Sequence, residues 1–388
     1  MTRPGYLGRP ASWRLGVLAI LLPLSLSTAG CGGHKGPGAR AAVVLPPANP
    51  LAVSKMVQGV QAAKDPNAQP RAISLLKEAV SIDPNLWEAR FDLGVLLASS
   101  GDLAGCEEQL AAASKLAPDA QEVAIALGEV RRRRGEHKVA ADDLGDFVAD
   151  HADAIDARLL YVATLRESGQ IDKAIEQARE VLLRKPAYDK ALAELALSHL
   201  AKGERDTAAL LAKQAIDINP KSAPAHRAAA LIALANGDDA GAFDEFQKAT
   251  EADPQDTTAR INMGVVLLKA GSYAKAEEQY SAILKLSPED TEAQLGLAAA
   301  LRGEGDDKHT DKYDQARALL EKVLAHDSHN VAALFNLGIL LAEPMKKPVD
   351  AAPYFKRFLS EAPSDHPMRP EAERYLSLAA APGKAGGK

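Results

Sequence analysis

Few residues of this 388-residue chain have types and spacing that could do chemistry. His326-Asp327-Ser328-His329 puts two imidazoles and a carboxylate within four positions, the donor types of a transition-metal site. No third partner follows in sequence, and the pair falls in a turn where polar residues are common, so no metal site is assigned. Arg131 to Arg134 form the sharpest charge run. They close an expected helix, where cations suit the negative end of the helix dipole; a solvated cap is the first reading and a site for an acidic partner the second. The only thiols are Cys31 and Cys106, so the mature fold has no internal disulfide to draw on. No HExxH, P-loop, GxSxG or paired-cysteine motif occurs, and no catalytic residue, cofactor or enzyme activity is expected.

The elements that must position these residues are set by a period. Gly101, Gly135, Gly169, Gly203, Gly237, Gly271 and Gly305 stand 34 residues apart. Ala72, Cys106, Ala140, Ala174, Ala208, Ala242 and Ala276 keep the same spacing, and Ala316 and Ala351 continue it with small slips. Cys106 sits in this small-residue column and reads as a buried structural thiol. Aromatics are 4% of residues while apolar residues are 47%, so the core is built from Ala and Leu, which favour helices. Each glycine can take positive φ and end a first helix. A proline past the second helix, at Pro84, Pro118, Pro186, Pro220, Pro254 and Pro288, stops that helix from continuing. Each period is thus a helical hairpin, and stacked hairpins bury the faces that one alone cannot. The net charge of −6 would become −9 on loss of Arg3, Arg9 and Arg14, which leaves no basic field for nucleic acid.

One unit reads Arg260, Met263-Gly264, Leu267, Gly271, Ala276, Tyr280 and Pro288; another reads Leu334, Leu337-Gly338, Leu341, Ala351, Phe355 and Pro363. This pattern of small and large residues resembles the tetratricopeptide repeat (TPR). Departures are modest: no Trp takes the first aromatic place, Ala152 replaces a proline, and one unit is lengthened around Asp306 to Lys312. The resemblance implies an all-α, right-handed solenoid of about nine hairpins over 53–363, a capping helix over 364–380 and a disordered tail over 381–388. An irregular turn at Asp65-Pro66-Asn67 marks the first unit.

The same resemblance places first helices on a concave groove. Its columns run Ala98, Arg132, Arg166, Leu200, Leu234, Leu268, Arg302 and Val95, Glu129, Ala163, Leu197, Leu231, Val265, Ala299. If the stack is regular, Leu197, Leu200, Leu231, Leu234, Val265 and Leu268 form an apolar strip with Arg132, Arg166 and Arg302 beyond its ends. Such a strip would take an amphipathic or extended apolar segment flanked by acidic residues; alternatively the leucines pack between neighbouring helices. The family's clamp for C-terminal carboxylates is not carried over, because Phe91, Val95 and Ile125 occupy its places.

Residues 1–30 read as a secretory signal peptide. Arg3, Arg9 and Arg14 precede an apolar stretch from Leu15 to Leu26, short for a bilayer span and interrupted by Pro23. Leu26-Ser27-Thr28-Ala29-Gly30-Cys31 resembles a bacterial lipoprotein box, which makes Cys31 the lipid attachment point; Thr28-Ala29-Gly30 also suits an ordinary signal peptidase. Gly32 after the cysteine favours, by resemblance, export to the outer membrane. Residues 31–52, rich in Gly and Pro, form a leash whose ~20 residues span roughly 25 Å, and the array then faces the periplasm. Several acyl chains on Cys31, palmitate among them, would anchor the chain where one alone holds weakly. The layout resembles a scaffold lipoprotein of an envelope complex, the myxobacterial adventurous gliding machinery being the nearest in build. Lipoproteins of similar layout serve as pilotins for pilus secretins or as adaptors of peptidoglycan enzymes.

Overall fold

The computed structural model of the protein describes residues 45–380. The expected signal peptide, Cys31, most of the leash and the 381–388 tail lie outside the described residues. Within them the chain is helical, and none of its helices is long and apolar enough to cross a membrane.

The described residues divide into two compact units, the first ending at Gln255 and the second beginning at Asp256. The first holds six hairpins: α1 (Pro50–Ala62) with α2 (Gln69–Ile82), α3 (Trp87–Ser99) with α4 (Leu103–Leu116), α5 (Gln121–Arg133) with α6 (His137–Asp150), α7 (Ile155–Glu167) with α8 (Ile171–Arg184), α9 (Asp189–Lys202) with α10 (Arg205–Ile218), and α11 (Ala223–Asn236) with α12 (Asp239–Ala252). In the second unit α13 (Thr257–Lys269) pairs with α14 (Tyr273–Leu286), α15 (Thr291–Glu304) with α16 (Asp311–His326), and α17 (Val331–Ala342) with α18 (Pro348–Glu361). The last helix, α19 (Arg369–Ala380), packs on α18; Tyr375 stacks on Phe355 there and donates its hydroxyl to Glu343. The irregular first turn is a 3-10 turn over Pro66–Ala68, held by the Asp65 carboxylate accepting from the Asn67 amide.

The small-residue columns do what their size requires. Ala72, Cys106, Ala140, Ala174, Ala208 and Ala242 in the first unit, and Ala276 and Ala316 in the second, are wholly buried. Gly203 shows why the other column is glycine. Its φ of 89° lets its amide donate to the Leu200 carbonyl and the Glu204 amide to that of His199, closing α9 before α10 begins. Six of the seven glycines share this conformation; Gly305 does not. Its φ is −64°, because the lengthened loop that follows turns on the Asp306 carboxylate, which accepts from the amides of Lys308 and His309. Just past the glycine turn, two of the second helices open on an aspartate cap, Asp102 accepting from the Gly105 amide and Asp238 from that of Gly241.

Candidate partner-binding face

In the first unit α3, α5, α7, α9 and α11 pack against one another in series, and α2, α4, α6, α8 and α10 each fit between the two first helices that flank them. The first helices therefore form an inner layer with one uncovered face each. On α3 that face is Glu88, Phe91, Asp92 and Val95, spaced three or four apart and all half-buried; on α5 it begins with Glu122 and Ile125.

The residues expected to make the strip are placed less openly than their column suggests. Leu197, Leu200 and Leu231 are 6%, 8% and 6% exposed, and Leu234 is half-buried. The physical reason is the close packing of α9 on α11, which turns these leucines toward the neighbouring helix. In the second unit Val265, Leu268 and Arg302 are half-buried, and Arg302 lines a small void with Ala299, Asn336 and Leu340.

The arginines are paired internally. Arg132, 4% exposed, donates to both Glu167 oxygens at 2.6 and 2.9 Å and to Glu129 at 2.6 Å. Burial works against its charge, but the two carboxylates outweigh it and hold its pKa above the ordinary arginine value. Burial also raises the Glu129 carboxyl, against the opposing pull of Arg132. Arg166 reaches Glu194 at 3.4 Å while its Nε, buried, has no hydrogen-bond partner. The run around Arg132 is thus not a solvated cap. Arg131 joins Glu107 of α4 to Asp143 of α6, and Arg134 bridges Glu107 and Glu136 at 3.0 Å each; Arg133 alone of the four is exposed without such a bridge. The run closes α5 and laces three helices, because consecutive residues at a helix end point in different directions.

Asp92 has the opposite environment. Burial, then repulsion from Glu88 one turn away, pushes its carboxyl up to about 7, and among the described residues no cation lies within ion-pair distance of it. Glu88 is raised too, first by burial. The Cys106 thiol, fully buried, is pushed up to about 12 by burial, so it is not a nucleophile at neutral pH. His329, in the turn between α16 and α17, pairs at 3.0 Å with Glu361 at the end of α18, and among the described residues no three His, Cys, Asp or Glu side chains gather as a metal-ligand set.

One set of functional supports escaped the sequence reading. Arg90 donates through Nε to the Pro84 carbonyl and through Nη1 to Gln109. His226 spans the Pro220 carbonyl and Glu245, Gln294 donates to the Pro288 carbonyl, and Arg158 holds Gln177 with the Val148 carbonyl. Each brace ties a first helix to the preceding turn or the end of the preceding second helix, to its own second helix, or to both. The signal was present as polar residues two periods apart at 90, 158, 226 and 294, but a polar residue on a half-buried face does not announce its acceptor.

Sequence profiles of the tetratricopeptide repeat match residues 70–129, 163–223, 193–257, 233–301 and 310–366, well over half of the chain. The protein belongs to the TPR family. Such repeats generally mediate protein–protein interactions, and their fold is typically a scaffold without catalysis. No curated protein matches the chain by sequence. Among solved structures the TPR array is similar to YrrB, a TPR protein with an unusual peptide-binding site, at 20% identity and a TM-score of 0.42, covering 51% of this chain and 97% of that one. It is also similar to TTC0263, a thermophilic TPR protein of Thermus thermophilus, at 21% identity and a TM-score of 0.41 over 47% of this chain and 99% of that one. MamA is 26% identical, with a TM-score of 0.38, over 42% of this chain and 95% of its own. These partial overlaps carry no argument about partners.

Proposed function

We propose that this TPR protein is a non-enzymatic scaffold, tethered by lipid on Cys31 to the outer membrane, that faces the periplasm and assembles an envelope complex, for which its layout makes a gliding machinery the first example. The observation that supports binding is the inner layer of the first unit, where the first helices pack in series and α3 and the start of α5 present half-buried residues on their uncovered faces. Support for the anchor is the signal stretch ending at Gly30-Cys31 and the Gly- and Pro-rich leash after it.

The test is made in living cells with the whole chain. A clickable fatty-acid analogue is fed to cells expressing wild type or Cys31→Ala, and in-cell cross-linking followed by mass spectrometry identifies the neighbours of each. Analogue incorporation that depends on Cys31, together with enrichment of envelope-machine subunits, is the expected result. Incorporation into Cys31→Ala would contradict the anchor assignment, and neighbours drawn only from the cytoplasm would contradict the scaffold's address.

A further inference from the structure

The geometry points to a cationic, apolar partner segment docking on the open face of α3 and α5, with a lysine or arginine entering beside Asp92 and Glu88 while adjoining apolar side chains cover Phe91, Val95 and Ile125. This inference rests on the protein-binding reading and reverses the partner charge that the arginine columns of the sequence imply.

Three observations carry it. In the first unit the cations that would have received acidic flanks are already engaged, since Arg132 is held by Glu129 and Glu167 and Arg166 faces Glu194. Across the same inner layer, by contrast, the Asp92 carboxylate meets no cation among the described residues and sits one helical turn from a second carboxylate, Glu88. Two like charges on a half-buried face cost free energy in the unliganded protein, and an arriving ammonium or guanidinium relieves that cost where it would only add to the burden at Arg132. Finally, the acids are interleaved with half-buried apolar side chains at helical spacing. Phe91 and Val95 flank Asp92 on α3, and Ile125 lies on the adjoining α5, so the face offers apolar contact as well as charge. The chain's net charge of −6 assists the approach of such a partner.

A charge-assisted pair of this kind is worth ~1.5 kcal/mol or more, which is roughly tenfold in affinity. The probes are two fluorescein-labelled amphipathic peptides, one built of leucine and lysine and its counterpart of leucine and glutamate, titrated into the full chain and followed by anisotropy. The leucine–lysine peptide is expected to bind wild type. Binding should weaken about tenfold or more in the Asp92→Asn, Glu88→Gln variant, and also in Val95→Gln, which keeps both charges. A control variant, Glu108→Gln with Asp142→Asn, removes the same charge from exposed positions on α4 and α6 and should bind nearly as wild type does. Circular dichroism of each variant separates lost binding from lost folding.

Equal weakening in the site and control variants would reduce the effect to diffuse attraction and overturn the inference, as would preference for the leucine–glutamate peptide. If neither peptide binds while in-cell capture persists, the cationic segment is wrong and the scaffold reading stands. If both fail, both fall.

Discussion

Asp92 carries a cost that its neighbours do not relieve. Its carboxyl is raised from an ordinary 3.8 to about 7 by burial and by Glu88, so the folded state holds its proton more tightly than the unfolded chain does. The stability this group contributes is therefore fully present below about pH 4 and is lost as pH rises through about 7. At ~1.4 kcal/mol per pKa unit the loss amounts to a few kcal/mol. Asp92→Asn is expected to raise the midpoint of urea unfolding at pH 8 and to change it little at pH 4; an unchanged midpoint at pH 8 would show that the carboxylate is better solvated than its surroundings suggest. Arg132 presents the reverse case, a buried charge whose partners depend on it. Arg132→Met strands Glu129 and Glu167 without a cation, and a loss of about 3–5 kcal/mol by chemical denaturation at pH 7 is expected. Replacing Glu129 by Gln in the same chain should recover part of that loss.

At the scale of the helix, the close approach of the two helices in a hairpin depends on size matching across them. Gly128 lies inside α5, where glycine ordinarily costs about 1 kcal/mol relative to alanine. A Cβ there would stand 2.8 Å from a methyl carbon of Leu144 on α6, which is closer than carbon atoms approach. Gly94 faces Leu110 in the same way, and in the second unit Gly264 faces Tyr280 and Gly338 faces Phe355. Gly128→Ala is therefore expected to lower the melting temperature despite its better helix propensity, and the double variant Gly128→Ala, Leu144→Ala to do so without the clash but with a cavity. A rise in melting temperature for the single variant would mean that Leu144 can move aside freely. Ala208, wholly buried in α10, tests the same principle from the other helix. Ala208→Leu should overpack the hairpin and cost about 1–3 kcal/mol.

For the molecule, stability in such an array is a sum of hairpin terms and interfaces between neighbours, so damage should spread locally and fade. Within the first unit, hydrogen–deuterium exchange of Ala208→Leu is expected to show lost protection over α9 and α10, weaker loss over α7, α8 and α11, and none over α1 and α2. Uniform loss from α1 to α12 would instead mean that the unit unfolds as one cooperative body. The same locality bears on function. A repeated fold presents many similar faces, and what distinguishes one from another is which charges have been spent inside the array. On the inner layer of the first unit, α5, α7 and α9 spend Glu129, Arg132, Glu167, Arg166 and Glu194 in ion pairs, while Glu88 and Asp92 on α3 and Glu122 at the start of α5 are not part of these pairs.

The all-helical hairpins, their period and the burial of the alanine column were legible in the sequence because each rests on a local rule. Glycine at positive φ, proline past a helix and small residues at fixed spacing act within a few residues of themselves. The final helix at α19 and the irregular turn at Pro66 were legible for the same reason. Gly305 shows the limit of that logic, since its column predicted a conformation that the lengthened loop removed. The groove was legible only as columns, and columns do not say what faces them. That Leu197, Leu200 and Leu231 turn inward, and that Arg132 closes on a glutamate 35 residues away, depends on how one first helix packs on the next. Tertiary structure alone decided which charges cancel and which remain, because an ion pair is fixed by distance and burial in three dimensions, whereas sequence spacing fixes only the helix face from which each side chain starts.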